Sequence, residues 1–159
     1  MKFFRLLLLL FLALQTQSEQ LKNILFVGNS YLYYNNSVHN YVEPMLREHH
    51  GSEIETKLSA IGGSKLHHHN IDHLLNPKNL NLDQQIDLLI MQGGSTEVVS
   101  ERDQEKFIQT VQQYSAKAQK LGVKTALYMT HAYTEADRRF EPNLIKKISK
   151  TYFAAGKES

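Results

Sequence analysis

Three positions in the chain carry groups that could act together on a carbonyl: Ser30, Gly63 and Gln92. Ser30 follows the apolar run Ile24-Leu25-Phe26-Val27 and the break Gly28-Asn29. Glycine and asparagine both tolerate backbone conformations that strand residues avoid. A serine hydroxyl becomes a good nucleophile only when a base removes its proton. Acyl transfer also needs hydrogen-bond donors aimed at the oxyanion of the tetrahedral intermediate. The Ser30 N–H at the turn, the unobstructed N–H of Gly63 and the side-chain amide of Gln92 are three candidate donors. The chemistry open to such a set is acyl transfer through a serine. Taken alone, Gly28-Asn29-Ser30 also reads as an ordinary strand running into a polar turn.

The histidines offer a base or a metal. His131 follows an apolar segment and could serve as the base or line a substrate pocket. His67-His68-His69 and His73 form a cluster, and on a helix His69 and His73 would share a face as two metal ligands. No third ligand stands at a fixed spacing from them, so a solvated or pocket-rim helix is the preferred reading and no metal or cofactor is expected. His39, His49 and His50 read as surface residues of a helix, and Asn35-Asn36-Ser37 satisfies a glycosylation sequon.

The elements that must position these residues alternate. Strands are expected over Asn23–Val27, Glu53–Ala60, Ile86–Met91 and Thr125–Met129. A helix capped by Ser37 carries Val38, Tyr41, Val42, Met45 and Leu46, with Pro44 expected to kink or divide it and His50-Gly51 to end it. Ser64 is expected to cap a helix from Leu66 to about Leu75, before Asn76-Pro77. Ser100 and Asp103 open a helix with Phe107, Ile108, Val111, Tyr114, Ala118 and Leu121 on one face, ended by Gly122. Pro142 is expected to open a last helix to about Ala155. Alternating strands and helices predict a parallel sheet covered on both faces, an α/β fold of three α/β/α layers. Right-handed crossovers then bring Ser30, Gly63, Gln92 and His131 to one sheet edge.

The chain has 159 residues, enough for one domain. Its first 18 residues have the layout of a secretory signal peptide: Lys2 and Arg5, the apolar run Leu6 to Leu14, then a polar stretch with cleavage expected after Ser18. That run is shorter than the ~20 residues of a membrane span. The formal net charge is +2, from 18 basic and 16 acidic residues. Without Lys2 and Arg5 the balance is 16 to 16, so residues 21–159 show no electrostatic footprint for nucleic acid or an anionic membrane. There is no cysteine, hence neither disulfide nor lipid anchor on an N-terminal cysteine. A secreted or periplasmic protein without a stable membrane anchor is expected; the oligomeric state is not legible.

Gly28-Asn29-Ser30 resembles the first block of the SGNH (GDSL-like) hydrolase superfamily, whose Gly-Asp-Ser carries the nucleophile. Ser30-Tyr31 with Tyr33-Tyr34-Asn35-Asn36 is similar to an uncharacterised Gly-Asn-Ser branch of it. Ile61-Gly62-Gly63-Ser64 resembles the second block, and Gln92-Gly93-Gly94-Ser95-Thr96 the Gln-Gly-Glu-Ser-Asn block of an acetyl-esterase branch. The resemblance implies a flavodoxin-like parallel sheet, with Ser30 as nucleophile and Gly63 as oxyanion donor. It also implies a histidine from an Asp-x-x-His block after a fifth strand. No such block follows the fourth strand here, and Thr96 stands where the family has asparagine, so Gln92 is favoured as the side-chain donor. The expectation is a domain incomplete at its carboxyl end, truncated before that block. The function expected is an exported serine esterase acting on a small-molecule or carbohydrate ester. The alternative is a non-catalytic exported domain on the same scaffold that binds a carbohydrate or peptide.

Overall fold

The computed structural model describes residues 21–50, 53–137 and 142–157. The expected signal peptide and the glycine stop at Gly51 lie outside the described residues. Strand β1 spans Asn23–Gly28, β2 Glu55–Ala60, β3 Leu88–Met91 and β4 Lys124–Leu127. They form one parallel sheet in the order β2-β1-β3-β4, the first four places of the flavodoxin-like order.

Strand β1 is buried along its whole length because helices cover both faces of the sheet. Ile24 and Phe26 pack with Leu32 and Ile54 and against Val38, Val42 and Leu46 of helix α2, Val38–His50. Leu25 and Val27 face the other way, into a core with Leu89, Met91, Phe107, Val111, Ile148 and Tyr152. The last four come from α4, Glu101–Gln119, and α5, Leu144–Lys157. The period of two along β1 therefore assigns alternate residues to the two helical layers. Full burial of such side chains is worth roughly 1.5–3 kcal/mol each.

Several local expectations are corrected. Ser37 does not cap α2: Asn35, Asn36 and Ser37 all have positive φ, 53°, 67° and 65°, and the Ser37 hydroxyl donates to the Tyr33 carbonyl at 3.2 Å. An N-cap residue is ordinarily extended, and Ser37 is not. Pro44 lies inside α2, which continues past it as one helix. It is exposed, so the carbonyl left without an N–H partner can be solvated. The helix expected from Leu66 to Leu75 is broken. A 3₁₀ turn spans Leu66–His68, and a separate short helix α3, Ile71–Leu74, is capped by the Asn70 side chain accepting from the His73 N–H at 3.2 Å. Pro142 precedes rather than opens α5, and Asn143 between them is left-handed. The first short helix, α1, is Ser30–Tyr33.

Candidate active site

The turn after β1 is built by two amide side chains. Gly28 has no Cβ because one would meet Gln92 Oε1 at 2.5 Å and Leu32 Cδ1 at 2.9 Å. Asn29 is buried and uses both ends of its amide: Oδ1 accepts from the Tyr31 N–H at 3.2 Å, and Nδ2 donates to the Ser64 carbonyl at 2.9 Å. The first bond makes Asn29 the N-cap of α1, so Ser30 is the first helical residue. At that position the Ser30 N–H has no intrahelical acceptor and is free to bind an oxyanion.

Gln92 is not an oxyanion donor in this geometry. It is fully buried, its Oε1 accepts from the Asn29 N–H at 2.9 Å, and its Nε2 donates to the Gly93 carbonyl. A backbone N–H must be met by an acceptor, which turns the amide nitrogen away from the cleft. Gln92 supports the nucleophile's turn from below. Thr96 and Ser95, from the same loop, line the cleft instead.

The second loop supplies Gly63, left-handed at φ 70° with open space where a Cβ would project. Ser64, next to it, is buried, with its hydroxyl 3.3 Å from the Gly28 carbonyl and 3.2 Å from His69 Nε2. Burial lowers the pKa of His69, so the ring is held neutral, and the Tyr114 hydroxyl donates to its carbonyl at 2.6 Å. His69 therefore fastens the second loop to β1. His73 is exposed and contacts Asn79, and Asp72 pairs with Lys117 at 2.6 Å. The expected His69–His73 face does not exist, because the break at Asn70 separates the two residues. Among the described residues no three metal-ligating side chains are gathered.

Ser30, Gly63, Thr96 and His131 open onto one cleft of about 890 Å³. His131 is the histidine among those lining it, and its ring meets that of Tyr31 edge-on at 4.9 Å between centroids. Tyr31 and Tyr133 hydroxyls are 2.7 Å apart, and Tyr133 donates to Ser95 Oγ at 2.8 Å. This hydroxyl chain ties α1 to the loops after β3 and β4. Tyr34, Tyr41 and Tyr128 add further aromatic rings to the lining, which also includes Asp137. Sequence reading missed the chain of hydroxyls, because its links span 102 and 38 residues and carry no periodic signal. It also missed Glu97, buried behind the third loop with both oxygens near the Leu66 N–H at 3.1–3.2 Å.

No family model matches the chain, and no curated protein sequence matches it. Solved structures do. The chain is similar to the acetyl xylan esterase AlAXEase at 18% identity and TM-score 0.59, over 86% of this chain and 73% of that one. It is similar to TesA at 19% identity and TM-score 0.60, over 86% and 74%. A lipolytic-type protein of the G-D-S-L family from Desulfitobacterium hafniense aligns at 14% identity and TM-score 0.58, over 86% and 70%. The chain has the SGNH hydrolase fold. At these identities the likeness is one of backbone. What this example of the SGNH fold does must come from its own cleft.

Proposed function

We propose that this chain is a serine ester hydrolase, exported from the cell, that acts on an ester of a small molecule or carbohydrate. The observation that carries the reading is the placement of Ser30 at the first position of α1, in the same cleft as the left-handed Gly63. Ser30 Oγ attacks the ester carbonyl carbon while its proton passes to a base. The carbonyl oxygen becomes an oxyanion held by the N–H groups of Ser30 and Gly63, with the Thr96 hydroxyl within the same cleft. The C–O bond to the alcohol breaks, the alcohol leaves with the proton, and water then releases the acyl group from Ser30. The tyrosines of the lining favour an ester with a flat or ring-shaped alcohol part.

The proton acceptor divides the reading into two arms. His131 lines the cleft and is one candidate; an acceptor from outside the cleft's described lining is the other. A non-catalytic binding domain on the same scaffold is the second reading, and it keeps the same cleft without a proton acceptor for Ser30. The test is hydrolysis of p-nitrophenyl acetate by the natural full-length protein. Ser30→Ala should reduce kcat by at least about 10³-fold. His131→Ala should do the same only if His131 is the base. A folded protein with no hydrolysis above the Ser30→Ala level favours the binding domain instead.

A further inference from the structure

Glu97 is a buried carboxylate that no step above uses, 1% exposed. Its oxygens accept the Leu66 N–H at 3.1 and 3.2 Å and the Gly94 N–H. Those two amides belong to the second and third loops, each of which reaches the cleft through neighbouring residues. Leu66 opens the 3₁₀ turn that follows Gly63 and Ser64; Gly94 lies beside Ser95 and Thr96. The loops touch at this point. A Cβ on Gly94 would stand 3.1 Å from the Ser64 carbonyl, 3.3 Å from Glu97 Oε2 and 3.6 Å from Asn29 Nδ2. A side chain here would press the two loops apart by a few tenths of an ångström, and the Ser64 carbonyl is the one that Asn29 holds. One carboxylate, one carbonyl and one amide thus meet directly behind the turn that carries Ser30.

We propose that Glu97 is a positioning residue for Ser30: its carboxylate clamps the second and third loops together and so sets where the Gly63 N–H stands relative to the nucleophile. The inference rests on the serine hydrolase reading. A carboxylate suits the task because it accepts at two oxygens, whereas the Gln92 amide on the other side of the turn has one acceptor and one donor. A misplacement of a catalytic group by about 1 Å can cost on the order of 10²-fold in rate.

The clamp also titrates. Burial raises the Glu97 pKa, opposed by the two backbone N–H groups and Lys65, while Asp103 adds to the rise. His67 Nδ1 stands 3.9 Å away, and the carboxylate's charge reaches the Tyr114 and Tyr152 hydroxyls, whose pKa it helps to raise. The His67 pKa is itself lowered, mainly by burial, so at neutral pH it brings no full counter-charge. The folded state therefore holds the Glu97 proton more tightly than the unfolded chain does. Its contribution to stability is complete below the ordinary glutamate value and is lost as pH rises through the raised one. The positioning works the other way: the two-acceptor clamp exists above the raised value and weakens as pH falls through it.

The test is an amide NMR titration of the natural protein, with Glu97→Gln beside it. In the wild type the Leu66 and Gly94 amide protons should move together at one midpoint above the ordinary glutamate range, and Ser30 and Gly63 should follow that midpoint. In Glu97→Gln the shared titration should vanish, the Ser30 and Gly63 resonances should be displaced, and kcat on p-nitrophenyl acetate should fall about 10²-fold with KM changed less than about threefold. Separate midpoints for Leu66 and Gly94, or Ser30 and Gly63 unmoved by the titration, overturn the inference without need of any variant. So does a folded Glu97→Gln with wild-type kcat. A wild type without hydrolysis sinks the serine reading alone, and the resonances still decide whether the clamp positions Ser30.

Discussion

At the scale of single residues, the turn around Ser30 depends on amides that satisfy backbone groups. Gln92 accepts the buried Asn29 N–H, and removing the acceptor leaves a desolvated donor unpaired. Such a loss costs about 1–3 kcal/mol. Gln92→Ala should therefore lower unfolding stability in urea by about that amount, with a further cavity cost. Because Gln92 does not reach the cleft, Ser30 reactivity should fall only as far as the turn loosens, by less than removal of Gly63's donor position would cost. A loss of hydrolysis as deep as that of Ser30→Ala, without any loss of stability, would return Gln92 to the oxyanion site. The reading of Gln92 from sequence went astray for a physical reason. Spacing places a residue on a loop at the correct sheet edge; it does not say whether the side chain turns toward solvent or under the neighbouring strand. Here the neighbour is Gly28, whose missing side chain makes the room that Gln92 fills.

At the scale of elements, strongly patterned segments were legible and broken ones were not. Phe107, Val111, Tyr114 and Ala118 recur at helical spacing, and all four are buried on α4. Ser100 caps that helix by accepting from the Asp103 N–H at 3.2 Å, as its spacing indicates. Ser100→Ala should destabilise the protein by about 1 kcal/mol. Urea unfolding reads this directly, and an unchanged midpoint would mean that the cap bond contributes nothing. Between Ser64 and Leu75 the apolar residues also fit a helix, yet the backbone breaks at His69-Asn70. A tertiary contact and a local cap act together. Asn29 holds the Ser64 carbonyl and Tyr114 the His69 carbonyl, and with His69 so fixed the His73 N–H turns to Asn70 Oδ1 instead of the His69 carbonyl that a continuous helix would offer. Local pattern cannot report a competitor from another part of the chain.

At the scale of the whole molecule, alternating elements gave the layers and the parallel sheet, and the solved structures of SGNH fold agree. Strand β4 lies at one edge of that sheet, and among the described residues no strand pairs with its outer side. Beside it Met129 and Phe153 are exposed at 45% and 71%. An apolar unpaired edge is a template for association. The protein should therefore self-associate through this edge at micromolar concentration, and Phe153→Lys should reduce it in sedimentation velocity. A monodisperse wild-type species would contradict this.

All scales meet in the claim that Ser30 is a nucleophile. The most direct test is labelling of the natural full-length protein with a fluorophosphonate, followed by peptide mass mapping. The account predicts one adduct per chain, on the peptide that contains Ser30, and none in Ser30→Ala. A folded protein that takes no label, or takes it equally in Ser30→Ala, would contradict it.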